Sequence, residues 1–169
     1  MRESRLKQLL QRLALRTQFL PFTWLYRALY AWAVWLCVRR LQRISGVCSI
    51  YLRRGLASGR PLYGLSDIDL LVMVDTERHE QAAARVRYQY ELLRRAIPML
   101  PEGELWLYHP QQFRELYEHS EFYRNRFDQG RREWRRLFGE DIFQYLPPPS
   151  GEEGFLALQE LNPAWYYLA

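Results

Sequence analysis

The residues best suited to chemistry form a short acidic motif at the start of an apolar run: Ser66-Asp67-Ile68-Asp69, followed by residues 70–74. Strand side chains alternate between two faces, so Asp67 and Asp69 are expected to point the same way. Neighbouring carboxylates repel each other and raise each other's pKa unless a cation lies between them, and Mg²⁺ is a usual cation for hard oxygen ligands. The motif therefore predicts a metal site, with a strand-end turn or a helix cap as the alternative.

The elements before the motif are predicted to be two helices and a strand. Leucines at helical spacing indicate a helix over residues 3–16, and a longer apolar segment indicates a second helix over residues 22–44. Residues 47–55 follow as a strand that runs into a glycine-rich loop ending at Gly64. Residues 67–74 form the second strand, and we expect it to pair with the first because the two are close in sequence.

After the motif, Thr76 is predicted to cap a helix that runs to Ile97, because apolar residues recur there at spacings of three and four. An alternating strand over residues 103–110 places Glu104 and Trp106 on one face. The later elements are predicted as a helix starting at Pro110, basic helical turns over 130–137, a proline-rich linker over 147–151 and a helical tail over 154–169. This order predicts an α/β (α+β) protein with a small mixed β-sheet flanked by helices.

The chain has 169 residues, enough for one ordinary domain with a real core, since 49% of its residues are hydrophobic. We divide it into an N-terminal helical segment (1–45), a central domain (46–146) and a linker with a helical tail (147–169). The formal charge of +5 comes almost entirely from arginine, with Lys7 the only lysine. Arginine suits phosphate recognition, although a GC-rich genome gives the same excess. A third class of function, nucleic-acid binding through these arginines, therefore stays open but is less favoured.

Residues 19–38 are long and apolar enough to raise the question of a membrane span, but Arg27 lies near the middle and Pro21 near the start. We expect a helix that packs on the domain, on a partner protein or on a second copy, rather than a span or a membrane-surface helix. Cys37 and Cys48 have neither a metal-ligand spacing nor a disulfide framework. Together with the lack of a secretory signal, this predicts a reduced, cytoplasmic protein.

Three segments together resemble the nucleotidyltransferase superfamily that includes DNA polymerase beta and the minimal nucleotidyltransferases. The first is Gly55, a loop, and then Ser66-Asp67-Ile68-Asp69-Leu70 on a strand. The second is the strand and helix start over residues 104–113, and the third is Leu137-Phe138-Gly139-Glu140-Asp141-Ile142. The resemblance covers residues 47–146 and implies the nucleotidyltransferase fold, with the N-terminal helical pair outside it.

The resemblance implies metal-dependent transfer of a nucleoside monophosphate from ATP or another NTP to a hydroxyl group of a small molecule or protein. Two Mg²⁺ ions would be held by Asp67, Asp69 and Glu104, which are therefore the predicted catalytic and metal-binding residues. Such ions neutralise the triphosphate and stabilise the attacking and leaving oxygens. Glu104 could also help to deprotonate the acceptor hydroxyl.

The same resemblance implies nucleotide-binding residues in the loop and at the motif: Gly55, Ser58, Gly59 and Ser66. The family usually has Gly-Ser or Gly-Gly at the loop start, whereas this chain has Gly55-Leu56. This departure keeps an alternative open, in which the domain has lost catalysis and serves as a nucleotide-sensing or protein-binding module. Arg53, Arg54 and Arg60 flank the loop and could contact phosphates. Glu102 is a nearby competitor for the role given to Glu104.

Overall fold

A computed structural model of the chain describes residues 22–58, 66–75, 77 and 79–148. The helices and strands, in chain order, are α1 (Phe22–Leu41), β1 (Val47–Arg53), the short α2 (Arg54–Ala57), β2 (Asp69–Val74), α3 (His79–Ala96), β3 (Trp106–Tyr108), α4 (Pro110–His119), α5 (Glu121–Glu133), β4 (Arg135–Gly139) and a 3₁₀ helix (Ile142–Tyr145). The helices predicted over 3–16 and 154–169, and the cap predicted at Thr76, lie outside the described residues.

The four strands form one mixed sheet in the order β3-β2-β1-β4. β1 runs antiparallel to both of its neighbours, so the expected pairing of the first two strands is confirmed. β2 and β3 run parallel, with the helix α3 as the crossover between them. The mixed sheet flanked by helices confirms the α+β class.

Alternation along β2 separates the core into two clusters on opposite faces of the sheet. Ile68, Leu70, Val72 and Val74 are buried against α1 and α3. Leu71 and Met73 are buried on the other face, against aromatic side chains of α4 and α5. Side chains of the apolar run therefore alternate between the two faces of the sheet, and both faces of this central strand are covered.

The helix α1 packs on the domain through one stripe and exposes much of its remaining surface. Its buried residues, at helical spacing, are Tyr30, Ala33, Cys37 and Leu41. Its large exposed apolar residues are Trp24, Leu25, Leu29, Trp32 and Trp35. No helix within the described residues is long and apolar enough to cross a membrane. The expected packing of this helix on the domain is thus confirmed, and its apolar outer face stays available for contact.

Two sequence predictions about local structure are wrong. The basic segment 130–137 is helical only up to Glu133, where α5 ends, and β4 begins at Arg135. Pairing with β1 through Tyr51 and Leu52 makes this segment an edge strand, and that long-range contact outweighs local helical propensity. The strand predicted over 103–110 is shorter than expected, covering only Trp106–Tyr108.

Candidate active site

Two of the three predicted acids meet at one end of the sheet. Asp69 is the first residue of β2 and pairs across the antiparallel ladder with Arg53, the last residue of β1. In the parallel ladder Leu71 pairs with Trp106, so two residues earlier Glu104 lies level with Asp69. Residues two apart share a face, and both carboxyl groups therefore project from the face that carries Leu71.

Two hydrogen bonds fix the segment between α3 and β3, which carries Glu104. The amide of Ile68, just before Asp69, donates to the carbonyl of Met99 at 2.8 Å. The hydroxyl of Tyr90 on α3 donates to the carbonyl of Pro101 at 2.9 Å. The loop that leads to Glu104 is thus tied both to β2 and to α3, which helps to define the separation of the two carboxyl groups.

Arg54 bridges the two acids. Its Nη1 atom donates to Oε2 of Glu104 at 2.8 Å and to Oδ1 of Asp69 at 3.4 Å. The Asp69 side chain is only 5% exposed, whereas the side chains of Glu104 and Arg54 are 43% and 51% exposed. The site therefore has a buried carboxyl group at the bottom, and an accessible carboxyl group and an accessible guanidinium group at the mouth.

Asp69 loses its proton less readily in this environment than an ordinary aspartate does. Burial first, and hydrogen bonding to Glu104 second, raise the pKa of Asp69 to about 6, although the nearby charges of Arg54 and Arg53 act in the opposite direction. The guanidinium groups therefore only partly compensate for desolvation and for the second carboxyl group. A cation with higher charge density at this point would stabilise the ionised pair further.

Arg53, on the same face, is a second and more deeply placed cation. It is 2% exposed, and its Cζ atom lies 3.2 Å from the centre of the Trp106 ring. Its Nε and Nη1 atoms are buried and have no hydrogen-bond partner in the described structure. Burial lowers the pKa of Arg53 to about 10, which still leaves it charged at neutral pH. A buried cation of this kind is stabilised by a neighbouring anion, and the Asp69 carboxylate acts on Arg53 in this way.

Asp67 does not join Asp69 and Glu104 in a cluster of three. It lies before the first residue of β2 and is half-buried. Among residues 22–58, 66–75, 77 and 79–148, no group of three or more His, Cys, Asp or Glu side chains is placed to hold a metal ion. The structure therefore brings together two of the predicted ligands, and a role for Asp67 stays a prediction.

Three of the predicted nucleotide-binding residues are described, and each takes part in a hydrogen bond within the chain. Gly55 lies within α2, and the Ser58 hydroxyl donates to its carbonyl at 3.2 Å. The carbonyl of Ser66 accepts from the hydroxyl of Tyr30 at 2.7 Å, which ties the acidic motif to α1. Gly59 lies outside the described residues. Nucleotide binding by these four residues thus stays a prediction.

The corner after β1 differs from the one expected for a glycine loop. The left-handed backbone lies at Arg54, with a φ of 56°, whereas Gly55 is not among the glycines with positive φ. Glycine is the residue that adopts this conformation without strain, so an arginine here is unusual. Sequence reasoning named Arg54 only as a flanking phosphate ligand and missed its contact with the acids. The signal available was its position directly before Gly55.

Glu104, rather than Glu102, is the acid that reaches Asp69. The side chain of Glu102 points to α3, where it lies 3.6 Å from Arg94, and it is 60% exposed. Gly103 separates the two acids with a φ of 74° and turns the chain between them. Of the two acids that the sequence offered for this position, Glu104 is therefore the one that lies beside Asp69, and its role stays a prediction.

A separate cavity of about 510 Å³ lies between α1 and the sheet. Its lining is mostly apolar, including Val34, Val38 and Leu52, with Arg27 and Arg135 as its charged members. Leu52 belongs to the α1 side of the core, opposite the face of Asp69, and neither acid lines the cavity. The cavity is therefore distinct from the acidic site.

Comparison with protein-family models gives no match to this chain, and comparison with curated protein sequences also gives none. The donor set passes one chemical test for Mg²⁺, because the carboxyl groups of Asp69 and Glu104 lie side by side and hard cations prefer such oxygens.

Proposed function

We propose that the chain is a metal-dependent nucleotidyltransferase that transfers the nucleoside monophosphate of ATP or another NTP to a hydroxyl of a small molecule or protein. The observation that carries the proposal is the convergence of Asp69 and Glu104 beside Arg54. Two neighbouring acids, one buried on β2 and one accessible just before β3, suit a site that binds cations and also handles a proton.

In this proposal Asp69 and Glu104 hold Mg²⁺, with Asp67 as a further ligand two residues before Asp69. When bound, the metal ions would neutralise the triphosphate and stabilise the attacking and leaving oxygens. Asp69 acts from the base of the site, where burial and its position on β2 keep its carboxyl group in place. Glu104 is exposed enough to contact an acceptor hydroxyl and accept its proton.

The arginines at the end of β1 give the site its preference for an anionic substrate. Arg53 is held beneath Trp106, and Arg54 is exposed at the mouth. Guanidinium groups bind phosphate oxygens with two parallel hydrogen bonds, and Arg54 is accessible for such a contact. A triphosphate is therefore the substrate group that best matches the two carboxyl groups, the metal and the exposed guanidinium together.

The test is label transfer from each α-³²P-labelled NTP with Mg²⁺, in the presence of a cell extract that supplies acceptors. We expect labelled products with the wild-type chain and none with Asp69→Asn or Glu104→Gln, because each variant removes one carboxylate. Asp75→Asn and Glu102→Gln are matched controls: Asp75 caps the amide of Glu77, and Glu102 lies near Arg94. Full activity in Asp69→Asn would refute the assignment.

A second candidate function, a catalytically impaired nucleotide-sensing or protein-binding module, is favoured by one observation. The charge of Arg54 lies between the two acids, at the place where a metal ion would be expected. Calorimetric titration with ATP and Mg²⁺ separates the candidates. An enzyme binds the pair in a manner that depends on Asp69 and transfers label, whereas a sensing module binds ATP without label transfer.

The partners of the proposed enzyme are the NTP and an acceptor whose identity is open. The exposed tryptophans Trp24, Trp32 and Trp35 on α1 keep the prediction of a partner protein or a second copy at this helix. Contact with nucleic acid or with a membrane stays less favoured. A cytoplasmic location stays a prediction.

A further inference from the structure

We propose that Arg54 is a displaceable counter-cation: it holds Asp69 and Glu104 until a metal-bound triphosphate arrives, and then moves from the carboxylates to the phosphates. The inference rests on the proposed function and adds a rule for binding. Metal alone binds weakly, and metal and nucleotide bind together.

The first argument is the position of the guanidinium group. A single nitrogen, Nη1 of Arg54, contacts oxygens of both Asp69 on β2 and Glu104 in the segment just before β3. A metal ion shared by the two carboxylates would need the same space between them. The guanidinium and the metal are therefore alternative occupants, and one must leave before the other can bind.

The second argument is the contrast between the two neighbouring arginines. Arg53 is 2% exposed and stacks on Trp106, so its movement would disrupt the core. The side chain of Arg54 is 51% exposed, and within the part of the chain that the structure describes its hydrogen bonds and ion pairs are to the two acids. Arg54 can therefore swing into solvent or towards a ligand at little cost in packing, whereas Arg53 stays in place as a fixed charge.

The third argument is the backbone of Arg54. It is the only non-glycine residue with positive φ among those the structure describes. The left-handed conformation is unfavourable for an L-residue, and glycine at this corner would avoid that cost. Strain of this kind is concentrated at functional sites, where it places a side chain that the function needs. Here it directs the guanidinium group back over the acids.

The fourth argument is charge balance. The carboxyl groups of Asp69 and Glu104 lie beside the guanidinium groups of Arg53 and Arg54, so a divalent ion arriving alone meets two acids that already have cationic partners. A triphosphate brings negative charge with the metal and offers Arg54 a new partner. Binding of the nucleotide thus removes the obstacle to binding of the metal, and the two become coupled.

The test measures binding of Mn²⁺ to the full chain without nucleotide. The electron paramagnetic resonance signal reports the concentration of free Mn²⁺. We expect Arg54→Ala to bind Mn²⁺ about tenfold more tightly than the wild type, because a nearby positive charge is removed. Arg54→Lys keeps the charge and should stay close to the wild type. The matched control is Arg87→Ala, which removes an exposed arginine of α3. Asp69→Asn in the Arg54→Ala background should abolish the gain.

The same variants titrated with ATP in the presence of Mn²⁺ give the second half of the test. In the wild type, ATP should tighten Mn²⁺ binding strongly, and Arg54→Ala should show a smaller effect of ATP together with weaker ATP binding. Unchanged or weaker binding of Mn²⁺ alone by Arg54→Ala would overturn the counter-cation role, even where label transfer occurs. Tighter Mn²⁺ binding by Arg54→Ala, in a chain that transfers no label, would leave that role intact and refute the enzyme.

Discussion

Replacing Asp69 with asparagine should stabilise the folded protein at neutral pH. The pKa of Asp69 is about 6 in the folded state, against 3.8 for an ordinary aspartate. The folded protein therefore binds this proton more tightly than the unfolded chain does. Ionisation of Asp69 costs folding free energy as the pH rises from below 3.8 through 6, and asparagine carries no such charge.

The size of the effect follows from the pKa difference. A shift of about two pKa units corresponds to about 3 kcal/mol, because one unit corresponds to about 1.4 kcal/mol. The side chain is 5% exposed, so solvent screens little of this cost. The advantage of Asp69→Asn should thus be about 3 kcal/mol near pH 7.5 and about 1 kcal/mol near pH 4.5, where most folded molecules keep the proton.

Urea denaturation of the wild type and Asp69→Asn at these two pH values measures the difference directly. With a slope of about 2 kcal/mol per M, the midpoint of the variant should be about 1–2 M higher near pH 7.5, and the gap should narrow in acid. Asp75→Asn, at the opposite end of β2, controls for the general effect of removing an acid. A variant less stable than the wild type at neutral pH would refute the electrostatic reasoning, since Asp69 would then be a stabilising charge.

Two further predictions concern the framework of the site. Gly139→Ala should cost at least about 2 kcal/mol more than Gly103→Ala in thermal unfolding, because both glycines have positive φ but only the first would place a Cβ 1.7 Å from the carbonyl oxygen of Cys48. Equal losses would argue against close packing of β4 on β1. Tyr117→Phe should cost about 1–2 kcal/mol in urea, because the hydroxyl donates to buried Asp128 at 3.1 Å. An unchanged urea midpoint would show that this bond adds nothing.

The regular spacing of apolar residues was sufficient to predict the helices that bury one side chain per turn. The helix predicted to begin at Pro110 is confirmed as α4, and its residues Phe113 and Tyr117, four positions apart, are buried. The long helix before β1 was also predicted, although it ends at Leu41 rather than at residue 44. The strand β4 was missed because its five residues include exposed arginines on an edge, where pairing with β1 decides the conformation.

The sequence by itself determined that Asp69 shares a face with Leu71, because side chains of a strand alternate. It also named Glu104 as a candidate acid, although the strand predicted to carry it begins only at Trp106. Only the tertiary structure decided that the parallel register of β2 and β3 brings Glu104 level with Asp69, and that Arg54 contacts both acids. These contacts join residues 15 and 50 positions apart in the chain. Local pattern carries no information about them, since they depend on how separate elements pack and on a left-handed corner that propensity disfavours for arginine.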